Sequence, residues 1–149
     1  WSLRPELVLD LEVTDPAPLF ARIAEAMVRV VPTLDREATV RDLLDRESSF
    51  PTAMGHGTAL PHAYSSQVPG RLCAIARIRG EGVDFGPGAA EPVRLVFCLL
   101  SPVGDPEGHL ATLAEIARLI VDEEVRAAIL TAPGPVEVMR IVGNRASRI

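Results

Sequence analysis

Residues 52–63 read Thr-Ala-Met-Gly-His-Gly-Thr-Ala-Leu-Pro-His-Ala, and they hold two of the three histidines of the chain. Thr52 opens this segment, and Gly55 and Gly57 flank the first histidine, His56. Glycine adopts backbone angles that other residues avoid, and it lets another group come close to the main chain. The pattern predicts a tight turn at His56, whose side chain either points to solvent or contacts a nearby site.

The second half of the segment leads to His62. Thr58-Ala59-Leu60 is a run of small and apolar residues that predicts a short strand. Pro61 fixes its own φ angle and holds the residue before it in an extended conformation. We therefore expect a strand end that presents the imidazole of His62 at a rim, where it acts as a nucleophile or as a ligand.

Length and composition predict one soluble globular domain over residues 1–149. Apolar residues make up 48% of the chain and charged residues 23%, which is ordinary for a soluble domain. No apolar run approaches the ~20 residues that cross a membrane, and the N-terminus lacks the pattern of a signal peptide. We therefore expect a cytoplasmic domain without membrane insertion. Because Trp1 stands first in place of Met, we expect a chain that is trimmed or cut from a longer protein.

The charge pattern argues against nucleic-acid binding. The net charge is −5, every basic side chain is an arginine, and no basic stripe is present. Cys73 and Cys98 lie inside apolar runs, so we expect buried, reduced thiols, with a disulfide as the alternative. Three histidines and two separated cysteines do not form a zinc pattern, so no metal site is expected.

The first third of the chain predicts one strand and two helices. Apolar and acidic residues alternate toward the end of Leu7–Val13, which indicates a strand near a sheet edge. Asp15 is expected to cap a helix over residues 16–31, and Asp35 a helix over residues 36–47. The side chains expected to face inward from the second helix are Ala38, Leu43 and Leu44.

The remainder predicts two further strands and three helices. Val93–Leu100 is almost wholly apolar, which is typical of a central strand covered on both faces, and it leads into a loop at residues 101–104. The other predicted elements are a strand at Leu72–Arg79, a helix over residues 106–121 capped by Asp105, a helix capped by Asp122 that runs to about Leu130, and a short helix around Val136–Val142. The residues expected on the buried face of the 106–121 helix are Leu110, Leu113, Ile116, Ala117 and Ile120. This order predicts a mixed sheet with helices packed on its faces and a loose tail at residues 144–149.

Three side chains could form a pocket for a phosphoryl group. A neutral imidazole such as that of His62 is a good nucleophile near neutral pH. His109 lies in the first turn of a predicted helix, where the helix terminus binds anions and keeps an imidazole neutral. Arg46 carries a guanidinium suited to phosphate oxygens. If the fold brings these three residues together, they form a site for phosphoryl chemistry.

Other interpretations stay open at this point. Taken alone, Arg46 is a solvated surface charge and His109 is a residue on the outer face of a helix. A cysteine–histidine couple and a small hydrolase that uses two histidines are further alternatives, although nothing in the sequence completes either set. The chain has no Gly-x-Ser-x-Gly motif, no Walker phosphate loop and no dinucleotide-binding Gly-x-Gly-x-x-Gly.

The segment Thr52–His62 resembles the signature of enzyme IIA domains of the bacterial sugar phosphotransferase system, in the fructose, mannitol and nitrogen-regulatory class. The resemblance extends from about residue 5 to residue 143. Its further matching pieces are Leu43–Glu47, Gly82–Phe85, Pro92–Phe97, His109–Ala114 and Asp122–Arg126.

The resemblance implies a three-layer α/β/α fold around a small mixed sheet, with residues 5–143 as its core. It implies that His62 accepts a phosphoryl group from a phosphorylated histidine-containing carrier protein, with Arg46 and His109 lining the site. In sugar-transport members the group passes to a cysteine of an enzyme IIB partner. No metal or organic cofactor is implied. The signature residues expected to support the site are Thr52, Gly55, His56, Gly57 and Pro61.

Two positions depart from the family pattern, and one alternative function remains. Ala63 stands where the family often has glycine, and His56 stands where a small polar residue is common, so the role of His56 is open. Enzyme IIA domains also occur fused to membrane transporters and to transcription regulators. The alternative is therefore a non-enzymatic regulatory domain attached to such a protein.

Overall fold

The computed structural model describes the backbone of residues 3–146 and the side chains of residues 3–144. Within that part of the chain, six strands and five helices form a single α/β unit. The strands are β1 (Val8–Leu11), β2 (Ala53–Gly55), β3 (Thr58–Ala59), β4 (His62–Ser65), β5 (Leu72–Ile78) and β6 (Leu95–Pro102). The helices are α1 (Pro16–Val30), α2 (Arg36–Ser49), α3 (Pro106–Val121), α4 (Glu123–Thr131) and α5 (Pro135–Ala146), and a short 3-10 turn at Pro5–Leu7 precedes β1.

The sheet is mixed, with strand order β1-β5-β6-β3-β2. β1 pairs parallel with β5, β5 pairs antiparallel with β6, and β3 and β4 both pair parallel with β6. β3 ends opposite Val96, and β4 begins at His62 opposite Leu99. The two strands therefore follow one another along the same edge of β6, and residues 60 and 61 interrupt the pairing between them. The break contains Pro61, which has no N–H to donate but whose carbonyl still accepts from the N–H of Leu99 at 3.0 Å.

Two apolar layers cover the sheet, one on each face. Along β5 and β6 the even-numbered residues, such as Ala74 and Cys98, pack with α1 and α2. The odd-numbered residues, such as Cys73 and Phe97, pack with α3, α4 and α5. Every residue of β5 and all of β6 except Pro102 are buried, which confirms the central strand and the three-layer arrangement expected from the sequence.

The two cysteines are free and buried, as expected. Cys73 belongs to one apolar layer and Cys98 to the other, so their side chains lie on opposite faces of the sheet. The disulfide alternative is therefore excluded. Burial raises the pKa of the Cys98 thiol to about 12 and that of Cys73 well above its usual value, which also makes a cysteine nucleophile untenable.

The strand predictions need several corrections: β2 was not predicted, and β1 is shorter than the expected Leu7–Val13. β6 begins at Leu95, because Val93 instead pairs with Val83 across the intervening loop. The same strand extends through Pro102, since the backbone of Ser101 and Pro102 pairs with β4, so residues 101 and 102 are not a loop. His62 opens β4; it does not end a strand. β1 lies at the edge of the sheet, as its alternating pattern predicted.

The predicted helices agree with the structure better than the predicted strands do, because capping side chains mark most of the helix starts. Asp35, Asp105 and Asp122 each accept a hydrogen bond from a backbone N–H three residues ahead, as predicted. Asp15 makes no such bond, so α1 begins at its proline without a side-chain cap. The tail expected to be loose after Gly143 begins inside α5, and residues 147–149 lie outside the described residues.

The buried face of α3 is rotated relative to the prediction. Leu110 is 65% exposed, whereas His109 and Thr112 are buried together with Ile116, Leu119 and Ile120. Residues 109, 112, 116 and 120 recur at helical spacing, so the histidine itself belongs to the inward face. Its interpretation as an outer surface residue is therefore wrong. Within residues 3–146, no helix is long and apolar enough to span a membrane.

Candidate functional site

His62 is half-buried where β4 begins, beside the end of α2. Its Nδ1 lies 2.8 Å from the carbonyl oxygen of Leu60. A carbonyl oxygen only accepts hydrogen bonds, so Nδ1 must carry the ring proton in the neutral form. Nε2 therefore keeps its lone pair, and this is the nitrogen able to act as a nucleophile.

Arg46 lies in the last turn of α2 and reaches the imidazole of His62. Its Nη2 is 3.4 Å from Nε2 of His62, the nitrogen with the free lone pair. The guanidinium also lies over the ring of Phe50, 4.9 Å from its centroid. Phe50 follows α2 directly, and its N–H donates to the carbonyl of Arg46, so the end of the helix holds both side chains. The contact with Phe50 restricts the rotamers of an otherwise exposed arginine.

His109 lies in the first turn of α3, is only 3% exposed, and faces His62. The centroids of the two imidazole rings are 5.4 Å apart. Nδ1 of His109 is 2.6 Å from Oγ of Ser101 on β6, and the ring of Tyr64 on β4 covers its face at 4.4 Å between centroids. The structure thus brings Arg46 together with the two histidines that the sequence singled out.

Both histidines are held in the neutral form. Burial, together with the neighbouring His62 and Arg46, lowers the pKa of His109 to about 4, against the opposing effect of Asp105. Burial also lowers the pKa of His62, against the opposing effect of the Leu60 carbonyl, and Arg46 adds to the lowering. The expected neutral state of His109 thus arises chiefly from burial, whereas the sequence argument assigned it to the helix terminus.

These side chains line an open cavity of about 350 Å³. Its lining combines the two imidazoles with the guanidinium, the aromatic rings of Phe50 and Tyr64 and two carboxylates on α2. The lining residues are Asp42, Asp45, Arg46, Ser49, Phe50, His62, Ala63, Tyr64 and His109. Such a cavity can receive a group delivered by another molecule and surround it with hydrogen-bond donors. Among the described residues, no three histidine, cysteine or acidic side chains are arranged to hold a metal ion.

The start of the 52–63 segment is fixed to α2. The backbone N–H and the hydroxyl of Thr52 both donate to the carboxylate of Glu47, at 2.8 Å and 2.6 Å. The carbonyl of Thr52 accepts from the N–H of Leu60, two residues before His62. Thr52 is therefore outside the cavity, and it ties the end of α2 to the chain that carries His62.

Gly55, His56 and Gly57 form the turn between β2 and β3. All three have positive φ angles, 82°, 57° and 69° respectively, a region that glycine tolerates and that histidine adopts more readily than most residues. The carbonyl of Gly57 accepts from the N–H groups of Arg94 and Leu95, which ties the turn to β6. His56 is exposed, and none of the three residues belongs to the described lining of the cavity.

Sequence reasoning missed three contributors to the site. Ser101 was assigned to a loop, although its position two residues after Leu99 places it on the same face of β6 as its odd-numbered neighbours. Phe50 carried a usable signal, because it follows Arg46 by four residues, one helical turn. Arg71 binds the start of α3 from outside the helix, and no local pattern indicates that contact. Tyr64 on β4 is exposed and also lines the cavity.

Comparison with known proteins agrees with this geometry. Residues 3–144 match the family described as phosphoenolpyruvate-dependent sugar phosphotransferase system, EIIA 2. A fructose-specific EIIA component from Haloferax volcanii is 37% identical over 98 residues, which are 66% of this chain and 63% of that protein. A fructose-specific EIIABC component from Bacillus subtilis is 32% identical over 110 residues, 74% of this chain and 17% of that protein. The chain therefore spans less than two thirds of the length of either relative.

Solved structures of similar fold include a nitrogen regulatory protein, IIA-Ntr, from Neisseria meningitidis. It superposes with a TM-score of 0.85 at 28% identity and covers 93% of this chain and 94% of that one. Enzyme IIAMTL from Escherichia coli, solved in complex with phosphorylated enzyme IIBMTL, has a TM-score of 0.78 at 20% identity, covering 96% of this chain and 98% of that one, and shows the fold alone. With the family match over nearly its whole length, the chain belongs to the EIIA 2 family of the sugar phosphotransferase system, whose domains are phosphoryl carriers.

Proposed function

We propose that Nε2 of His62 accepts a phosphoryl group from a phosphorylated histidine-containing carrier protein and passes it on or retains it as a signal. The single observation that carries this proposal is the hydrogen bond between Nδ1 of His62 and the carbonyl of Leu60. That bond places the nucleophilic lone pair on Nε2, next to Arg46. Belonging to a family of phosphoryl carriers supports the same assignment.

The transfer step balances without a cofactor. The lone pair on Nε2 of His62 forms the new N–P bond, and the N–P bond of the donor breaks with its electron pair returning to the donor imidazole. The phosphorylated ring of His62 then carries positive charge. The proton on Nδ1 stays in place, because the carbonyl of Leu60 accepts its hydrogen bond and stabilises that charge.

Arg46 and His109 are proposed to bind the transferred group. The guanidinium of Arg46 reaches Nε2 and can donate to the phosphoryl oxygens, where negative charge is spread during the transfer. His109 presents a second ring at 5.4 Å and stays neutral, so it stabilises the group by hydrogen bonding. Thr52, Gly55, Gly57 and Pro61 support the chain that carries His62.

Labelling identifies the acceptor. The chain is incubated with phosphorylated carrier protein that bears a labelled phosphoryl group, and the label on the chain is measured after acid-free separation. The wild type and His56→Ala are expected to be labelled equally, because His56 lies outside the cavity. His62→Ala is expected to remain unlabelled, and retention of the label by this variant would exclude His62 as the acceptor.

After His62 is phosphorylated, the phosphoryl group has two possible uses, sugar transport and regulation. The fused EIIABC relative supports transfer to an enzyme IIB cysteine, and the likeness to IIA-Ntr supports a regulatory domain that keeps the phosphoryl group. Mixing the phosphorylated chain with a fructose-type enzyme IIB distinguishes them. Rapid loss of label to the IIB cysteine supports sugar transport. Retention of the label on His62, with altered binding to a transporter or regulator, supports the regulatory function.

A further inference from the structure

Ser101 has a buried hydroxyl that the phosphoryl chemistry of His62 does not itself require. The residue is 0% exposed and lies on β6, directly opposite Tyr64 of β4 in the strand register. Its Oγ is 2.6 Å from Nδ1 of His109. Within residues 3–144, this is the hydrogen bond that the structure gives to the Ser101 hydroxyl.

The direction of that hydrogen bond follows from counting protons. A serine hydroxyl has one hydrogen, and a neutral imidazole has one nitrogen that donates and one that accepts. If Nδ1 of His109 donated, the buried hydrogen of Ser101 would need another acceptor, and the described residues provide none. If Ser101 donates to Nδ1, both groups are satisfied in the interior, as buried polar groups require.

We propose that Ser101 is a positioning residue that holds His109 with its proton on Nε2, so that this N–H donates to the phosphoryl group on His62. The inference rests on the proposed function of His62 and goes beyond it by assigning a role to Ser101. Because Nδ1 is engaged by β6, Nε2 is the ring nitrogen that His109 contributes to the cavity. The ring of Tyr64 at 4.4 Å limits rotation of the imidazole.

The two imidazoles are thereby held as different neutral tautomers, with the proton on Nδ1 in His62 and on Nε2 in His109. The carbonyl of Leu60 can only accept, so it selects the Nδ1–H form of His62 and leaves a lone pair on Nε2. Ser101 donates, so it selects the Nε2–H form of His109. One ring supplies the nucleophile and the other supplies a donor without a positive charge. The neutral state of His109 agrees with its lowered pKa of about 4.

Nitrogen-15 NMR of the histidine rings tests the inference without any phosphorylation. Long-range proton–nitrogen correlation spectra of the unphosphorylated chain at neutral pH report which ring nitrogen of each histidine carries the proton. His109 is expected to be protonated on Nε2 and His62 on Nδ1, with the exposed His56 as an exchanging reference. Protonation of His109 on Nδ1 would overturn the inference, even if His62 is phosphorylated.

Two substitutions test the consequence for transfer. Ser101→Ala is expected to slow phosphorylation of His62 about tenfold, the factor that corresponds to the loss of one neutral hydrogen bond, and to mix the two forms of His109. Ser101→Thr keeps the hydroxyl and is expected to restore the rate and the Nε2–H form. A wild-type rate in Ser101→Ala would contradict the proposal. Failure of the wild type to accept phosphate would instead contradict the proposed function, and the NMR result would still test the proton positions.

Discussion

At the scale of single residues, the site depends on where two neutral imidazoles hold their protons. The carbonyl of Leu60 directs the lone pair of His62 to Nε2, and burial keeps His109 uncharged. Arg46 places a cation beside the nucleophile, with Nη2 3.4 Å from Nε2. It both suppresses protonation of His62 and can bind the incoming phosphoryl oxygens.

Arg46→Gln is expected to slow phosphorylation of His62 roughly 100-fold, the loss typical of removing one donor that stabilises developing negative charge. The same change is expected to raise the pKa of His62, because the repulsion from the guanidinium is removed. Phosphorylation kinetics and an NMR titration of His62 measure the two effects. Arg41→Gln on the same helix, outside this cavity, is the matched control. Equal phosphorylation rates in both variants would show that Arg46 does not bind the phosphoryl group during the transfer.

His109 makes the stability of the domain depend on pH. Its pKa in the folded chain is about 4, below the usual 6.5, so the unfolded state binds more protons between these values. Its contribution is fully present above pH 6.5 and is lost as the pH falls toward 4. The free energy of unfolding should fall by up to about 1.4 kcal/mol per pH unit from this residue. Urea unfolding of wild type and His109→Gln at pH 7 and pH 5 measures the difference, and parallel pH curves would contradict it.

At the scale of elements, the start of α3 positions His109, and Arg71 holds that start in place. Nη1 of Arg71 donates to the carbonyl of Gly108 at 3.0 Å and to Oγ1 of Thr112 at 2.7 Å. Its Nε lies 3.4 Å from a carboxylate oxygen of Asp105, the residue that caps the helix. A side chain from the loop before β5 thus fixes the first turn of α3 from outside.

Arg71→Ala is expected to weaken hydrogen-exchange protection in the first turn of α3 and to cost about 1 kcal/mol of stability, the size of a partly buried hydrogen-bonded contact. Phosphorylation of His62 should slow as the ring of His109 loses its fixed position. Arg140→Ala is the control, because its ion pair with Glu137 on α5 is exposed. Unchanged exchange at α3 in Arg71→Ala would show that the helix start is held by its own cap.

The elements differ in how far the sequence could predict them. Helix starts at Asp35, Asp105 and Asp122 were predictable because capping is local, within three residues of the cap. The break at Pro61 between β3 and β4 was not, since it depends on pairing with β6 more than 30 residues later. For the same reason His62 was expected to end a strand, although it begins one.

At the scale of the whole molecule, Arg77 joins the edge of the sheet to the helices on one face. Its guanidinium binds the carboxylate of Asp10 on β1, at 2.7 Å and 3.0 Å. It also donates to the carbonyls of Ile129 and Ala132 at the end of α4, at 3.0 Å and 2.6 Å. The guanidinium thereby adds a charged donor at the end of the helix, where the Ile129 carbonyl also accepts from the N–H of Ala132 at 3.4 Å. Arg77 thereby links strand and helix far from the phosphoryl site.

Arg77→Met is expected to destabilise the domain by about 2 kcal/mol, the size of a lost hydrogen bond from a charged donor, because the carbonyls at the end of α4 lose the guanidinium while the half-exposed Asp10 is solvated. Urea unfolding followed by circular dichroism measures the loss. Arg79→Met, two residues along at an exposed position, is the control and should stay within about 0.5 kcal/mol of wild type. Phosphorylation of His62 in folded Arg77→Met should be unchanged, and a parallel loss would show that this link also supports the site.

From the sequence alone, the proximity of Arg46, His62 and His109 was a hypothesis, and the fold brings the three side chains together. Each stands on a different element, and their sequence separations are 16 and 47 residues, so no local pattern brings them together. The resemblance to a known family supplied that connection. The resemblance did not indicate Ser101, because its hydrogen bond to His109 depends on how α3 packs against β6.

Phosphorus-31 and nitrogen-15 NMR of the phosphorylated chain measures the central claim directly, since it identifies the nitrogen that carries the phosphoryl group. The hydrogen bond from Nδ1 to the carbonyl of Leu60 predicts a phosphoryl group on Nε2 of His62, with Nδ1 still protonated. A phosphoryl group on Nδ1 of His62, or on His56 or His109, would contradict the account.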